Sequence, residues 1–109
     1  MGTTKTEEFS IRNNRIANFA KALAHPARIA ILRLLIKKDA CVCGDIVDEL
    51  PLSQSTVSQH LKELKEIGII KGDITGKSVC YCIDEKIWQE AKESLGNLFE
   101  SITNKKKCC

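Results

Sequence analysis

Leu52-Ser-Gln-Ser-Thr-Val-Ser-Gln-His-Leu61 is the stretch that decides the fold. Ser53 reads as an N-cap, its hydroxyl placed to accept a backbone N–H that the first turn of a helix leaves unpaired. In the helix that follows, Val57, Leu61 and Leu64 fall at i, i+4 and i+7, an inward stripe. Gln54, Ser55, Thr56, Ser58, Gln59, His60 and Lys62 are left on the outer faces, and Gly68 is placed to stop the helix.

Immediately upstream, Pro51 cannot continue a helix without losing a backbone bond, so the short helix expected over Gly44–Leu50 must turn there. Downstream, Ile69–Ile74 and Val79–Ile83 are β-favouring runs separated by Thr75-Gly-Lys-Ser78, the pattern of a hairpin with Lys77 at its tip. Two short helices joined by a tight turn suit the major groove, because the second inserts while the first crosses the backbone. Gln bonds adenine through two atoms, Ser and Thr reach base edges or phosphates, and Lys62, Lys65 and Lys77 can neutralise phosphates. From Leu52 to Ser78, Lys62, Lys65, Lys71 and Lys77 face Glu63, Glu66 and Asp73, so the net charge is small and affinity should depend on two copies acting together.

Further out, Ile16, Phe19, Ala20 and Leu23 form one amphipathic stripe that ends at His25-Pro26. Pro26 then opens a second helix carrying Ile29, Leu32, Leu35 and Ile36 inward. On the C-terminal side, Trp88, Ala91, Leu95, Leu98 and Ile102 are spaced 3, 4, 3 and 4 apart, a narrow seam suited to a partner helix. The expected fold class is mainly α with a small β-hairpin: a winged helix-turn-helix, dimeric through its first and last helices. The expected organisation is a flexible arm over 1–11, one DNA-binding and dimerisation domain over 12–104, and a basic cysteine-containing tail over 105–109.

Composition bounds the function classes. The chain has 109 residues, 43% of them hydrophobic and 28% charged with both signs interspersed, which suits a single folded domain. The longest apolar stretch, Ile29–Ile36, is interrupted by Arg33 and falls far short of the roughly 20 residues a membrane span needs. Met1-Gly-Thr-Thr-Lys-Thr6 lacks the apolar core of a secretory signal, so a cytoplasmic location and reduced thiols are expected. A formal charge of +3 favours nucleic acid only mildly.

Six cysteines carry the remaining chemistry. Cys41-Val-Cys43 is short and partly β-favouring, and it leads into the helix expected from Gly44; a helix N-terminus raises the thiolate fraction, and soft ions and metalloids prefer thiolate. Buried cysteine as a small hydrophobe is the plain alternative. Cys80 and Cys82 alternate with Val79, Tyr81 and Ile83, so on a strand they lie on the opposite face, as structural residues or as a second soft-metal site. Cys108-Cys109 lies on the basic tail.

The chain resembles the ArsR/SmtB family of bacterial metal-responsive repressors over about residues 12–104. The resemblance is carried by Leu23-Ala-His-Pro-Ala-Arg-Ile29, Leu52–Leu61 as quoted, and Gly68-Ile-Ile70 leading into Gly76-Lys77 and Tyr81. It implies a homodimer bound to double-stranded operator DNA and released by an inducer. It also implies that His25 helps start the second helix while His60 lies on the recognition helix. Within this family, Cys41-Val-Cys43 looks like the inducer site of arsenic-responsive repressors, which take As(III) or Sb(III). The third cysteine such repressors use one turn further on is replaced by Ile46, so the third ligand is expected from Cys108 or Cys109, with Cys80 and Cys82 less favoured.

Cd(II) and Pb(II) sensors of the family pair such a motif with cysteines in the N-terminal arm, and residues 1–40 contain none. Zn(II) sensors place His and carboxylates on the last helix, and no His follows His60. These ions remain alternative inducers, thiol oxidation is a further input, and a thiol redox enzyme is a remote alternative, since neither Cys-x-x-Cys nor a βαβ pattern is present.

Overall fold

A computed structural model describes residues 9–38, 42–43, 49–73 and 80–102. Its elements are α1 (Ile11–Ala22), α2 (Pro26–Lys38), β1 (Val42–Cys43), α3 (Gln54–Ile67), β2 (Ile70–Asp73), β3 (Cys80–Ile83) and α4 (Glu85–Glu100). The expected helix over Gly44–Leu50 falls largely outside the described residues, as does the hairpin tip with Lys77.

Local chemistry sets the boundaries. Ser10 caps α1 by accepting the Asn13 N–H at 3.0 Å. Pro26 opens α2, where its missing N–H costs nothing. Ser53 caps α3, accepting the Thr56 N–H at 3.3 Å and donating its own hydrogen to Thr56 Oγ1 at 2.9 Å. Gly68 ends that helix in the left-handed region at φ 100°, a conformation that would strain a side-chain-bearing residue. There the Gly68 N–H donates to the Leu64 and Lys65 carbonyls and the Ile69 N–H donates to Leu64 O, closing the turn. Asp84 caps α4 by accepting N–H bonds from Lys86 and Ile87, each at 3.2 Å.

The core runs between α1, α2, α3, the sheet and the first half of α4. It contains Phe19, Ala22, Ile31, Leu32, Leu35, Val57, Leu61, Leu64, Ile69, Ile70, Tyr81 and Ala91. The α3 stripe is as expected, but two others are shifted. Ala22 is buried where Ala20 is exposed, and Ile31 is buried where Ile36 is 49% exposed. The reason in α2 is angular: Arg28, Ile31, Leu32 and Leu35 share one face, and Ile36 lies off its edge.

The sheet has three antiparallel strands in the order β1-β3-β2. The hairpin strands β2 and β3 are joined by Ile70↔Ile83, Lys71↔Cys82, Gly72↔Tyr81 and Asp73↔Cys80. The expected hairpin therefore forms, and it gains a neighbour: Val42 pairs with Tyr81 and Cys43 with Cys80 on the other edge of β3. No described helix is long and apolar enough to cross a membrane.

Candidate nucleic-acid interface

Helix α3 stands on the core through Val57, Leu61 and Leu64, which fixes what its opposite side presents. Gln54, Ser55, Thr56, Ser58, Gln59 and Lys62 are all exposed. They make a polar surface with hydrogen-bonding groups of both kinds and a cation, the equipment base edges and phosphates require. Gln59 is partly committed, since its Nε2 donates to Glu63 Oε2 at 3.0 Å.

His60 is placed differently from the other residues expected to face DNA. It is half-buried against α2, its ring centroid 4.7 Å from that of His25, and its Nδ1 accepts from Arg28 Nε at 3.2 Å. Burial, with the neighbouring His25 and the Arg28 charge, pushes the His60 pKa below its ordinary value. It braces the recognition helix from behind. His25 in turn accepts the Ala27 N–H on its own Nδ1 at 3.0 Å, capping the start of α2.

The organising residue of this junction is one the sequence reading passed over. Arg28 is 9% exposed, and its guanidinium reaches three partners on two other helices. It donates to the Lys21 carbonyl at the end of α1 at 2.7 Å, to His60 on α3, and to the Glu63 carboxylate on α3 in an ion pair. The available signal was a charged residue on the same helix face as Ile31, Leu32 and Leu35. A second tie, between Arg15 and Glu90, joins α1 to α4; the hydrogen bond raises the Arg15 pKa and lowers that of Glu90.

The cysteines divide by element. Cys43 lies in β1 directly opposite Cys80 of β3, so the two Cys-x-Cys motifs meet at adjacent strands. Tyr81 is buried, and Cys80 and Cys82 are half-buried, in keeping with the strand alternation. Cys80 is in a disulfide and Cys82 is a thiol. Cys41, Cys108 and Cys109 lie outside the described residues. Among the described residues, no group of three or more His, Cys, Asp or Glu side chains is arranged to hold a metal ion.

Residues 25–71, from the His25 cap through α3 into β2, match the model of the bacterial regulatory protein arsR family. An HTH-type transcriptional regulator of Methanocaldococcus jannaschii is 39% identical over 75 residues, which cover 67% of this chain and 83% of that protein. The chain belongs to the arsR family. The HTH-type transcriptional repressor SmtB of Mycobacterium tuberculosis is 46% identical over 61 residues, covering 56% of this chain and 44% of that repressor. The match thus spans under half the length of that relative. The crystal structure of the transcriptional repressor BigR from Xylella fastidiosa superposes with a TM-score of 0.60 at 27% identity, covering 97% of this arsR-family chain and all of that one. Membership of a regulatory family sets aside the thiol redox enzyme.

Proposed function

We infer that this arsR-family chain is a homodimeric transcriptional repressor that occupies double-stranded operator DNA in the cytoplasm and leaves it when trivalent arsenic or antimony binds its cysteine thiolates. The observation that carries the reading is the meeting of Cys43 with Cys80 at the join between the helix-turn-helix and the wing. Thiol chemistry there acts on β3, which pairs with β2, the strand that follows the recognition helix.

The DNA-binding part rests on the exposed Gln54, Ser55, Thr56, Ser58, Gln59 and Lys62 over a helix held firmly from behind. Lys77, which the sequence puts in the turn between the hairpin strands, supplies a phosphate contact beyond them. Dimerisation is supported by the apolar side chains left outside the core at the ends of α1 and α4. Ile11 is 84% exposed, Phe99 73% and Ile102 78%, large apolar side chains left to solvent in the single chain. The expected seam divides accordingly: Trp88, Ala91 and Leu95 pack on the core, while Leu98 and Ile102 are left for a partner.

In the reduced chain, Cys41 and Cys43 supply two thiolates. The β1–β3 register favours Cys80 as the third over Cys108 or Cys109 of the tail, because it stands opposite Cys43 without any movement of the chain. Release follows from linkage: an inducer removes the repressor only if it binds the DNA-incompetent conformation more tightly.

The test is operator release in reducing buffer, followed by fluorescence anisotropy, with arsenite, antimonite, Cd(II), Pb(II) and Zn(II). Arsenite and antimonite should release the DNA, and Cys41→Ser or Cys43→Ser should abolish the response. A full arsenite response in the double variant overturns the site, and release by Cd(II), Pb(II) or Zn(II) alone overturns the metalloid assignment.

A further inference from the structure

We propose that Cys43 and Cys80 are a dithiol–disulfide pair that fastens the entrance of the helix-turn-helix to the wing, making this strand junction a site of reversible thiol oxidation. The pair goes beyond the metalloid reading and does not rest on it, because it requires two cysteines and no metal.

Three observations converge. Cys43 and Cys80 are register partners in an antiparallel ladder. Such partners have Cα atoms about 4.5 or 5.5 Å apart, whichever type of pair they form. Both separations lie within the roughly 4.4–6.8 Å over which a disulfide closes without backbone movement. A diagonal neighbour in the same ladder is about 7–8 Å away, beyond that reach. Secondly, Cys80 is in a disulfide, while its neighbour on the same face of β3, Cys82, is a thiol. Thirdly, the core holds the other face of β3 through Tyr81, which is 4% exposed, whereas Cys80 is only half-buried. An oxidant therefore reaches Cys80 without opening the core.

With hydrogen peroxide as oxidant the step balances. One thiolate attacks the O–O bond and becomes a sulfenic acid as hydroxide leaves. The second thiolate displaces the sulfenic oxygen, which leaves as a second hydroxide. The two thiol protons convert both hydroxides to water, and two electrons have passed from the sulfurs to the peroxide. A dithiol reductant reverses the step by exchange. The bond ties the chain at residue 43 to β3, whose other neighbour β2 begins two residues after the Gly68 cap of α3. Its formation therefore locks the β1–β3 edge of the sheet whose other strand, β2, follows the recognition helix.

The experiment uses the full chain, reduced, desalted and treated with hydrogen peroxide. In a Cys41→Ser/Cys82→Ser/Cys108→Ser/Cys109→Ser variant, both remaining thiols should disappear from a thiol titration. The intact mass should fall by two hydrogens, the chain should run as a monomer on a non-reducing gel, and dithiothreitol should restore both thiols. Retention of both thiols, or a covalent dimer, overturns the proposal. A second measurement guards against misfolding of that variant. In the otherwise wild-type protein, the tryptic fragments spanning 39–62 and 78–86 should be disulfide-linked after peroxide. The link should survive Cys41→Ser and vanish in Cys43→Ser and in Cys80→Ser; survival in either of the last two overturns it.

Discussion

Replacing Arg28 by Met tests whether the recognition helix is held by the buried guanidinium. Methionine keeps much of the apolar stem and removes the charge and its donors. The side chain of Arg28 is 10% exposed and that of Glu63 is 34% exposed. Breaking a fully buried pair costs about 3–5 kcal/mol, and an exposed pair contributes about 0–1 kcal/mol. Glu63 sits between these limits, because it can turn to water and keeps the Gln59 donor. The Lys21 carbonyl keeps the Ala24 N–H at 3.2 Å, so it is not orphaned. His60 loses its Arg28 donor, and its half-exposed ring can take a water in exchange. The expected loss is therefore about 2 kcal/mol, below the buried-pair figure because each partner retains an alternative.

For a domain of this size that corresponds to a fall in Tm of roughly 8–16 °C. The assay is thermal or urea unfolding at fixed protein concentration, since a dimer's stability depends on it. Glu63→Gln keeps an acceptor and should cost about half as much; the double variant should show a coupling of about 1 kcal/mol or more, as contacting residues do. Operator affinity should fall together with stability, because Arg28 joins α1 and α2 to α3. If Arg28→Met lies within about 0.5 kcal/mol of the parent, the range of an ordinary surface change, the clamp is not what holds the helix.

Ser53→Ala should destabilise by about 1 kcal/mol through loss of the N-cap, and Ser53→Asp should not, which urea midpoints will distinguish. Gly72 has φ 147°, and a Cβ there would collide with the Cys80 carbonyl, so Gly72→Ala should loosen the β2–β3 pairing and raise amide hydrogen exchange at Tyr81 and Cys82. The lowered pKa of His60 means the folded chain binds fewer protons there than the unfolded chain. Its contribution to stability should rise with pH and be lost as pH falls below about 6.5, and His60→Asn should flatten the urea-midpoint profile over pH 5–7. Lys62→Ala should weaken binding to all DNA sequences alike and reduce the salt slope by about one, as measured by anisotropy titrations.

Local signals carried far in this chain, and non-local ones did not. Ser53, Gly68 and Pro26 act within one helical turn of themselves, so their roles as caps and starts were legible from spacing alone. The α3 stripe was legible for the same reason, since one face of an isolated period predicts Val57, Leu61 and Leu64. In α2 the same rule placed Ile36 inside, because an apolar run of Ile29–Ile36 offers two overlapping faces and only packing against α3 and β3 chooses between them. Arg28 illustrates the deeper limit. Its partners Lys21, His60 and Glu63 lie 7, 32 and 35 residues away, and no periodicity connects them.

The cysteines show why register matters more than spacing for this chain's chemistry. Counted along the sequence, Cys41-Val-Cys43 and Cys80-Tyr-Cys82 are separate motifs, and the basic tail with Cys108 and Cys109 is the expected source of a third thiol. Once β1 joins β3, Cys43 and Cys80 become neighbours through a sheet order, β1-β3-β2, that no local pattern announces. The same residue, Cys43, then serves both inputs, and they must compete. A disulfide at Cys43 removes a thiolate that the metalloid needs, so peroxide-treated protein should no longer release operator in response to arsenite until dithiothreitol is added. If oxidised protein still responds fully to arsenite, Cys43 cannot be in both sites, and the loss or survival of the response in reduced Cys80→Ser shows whether Cys80 belongs to the metalloid site.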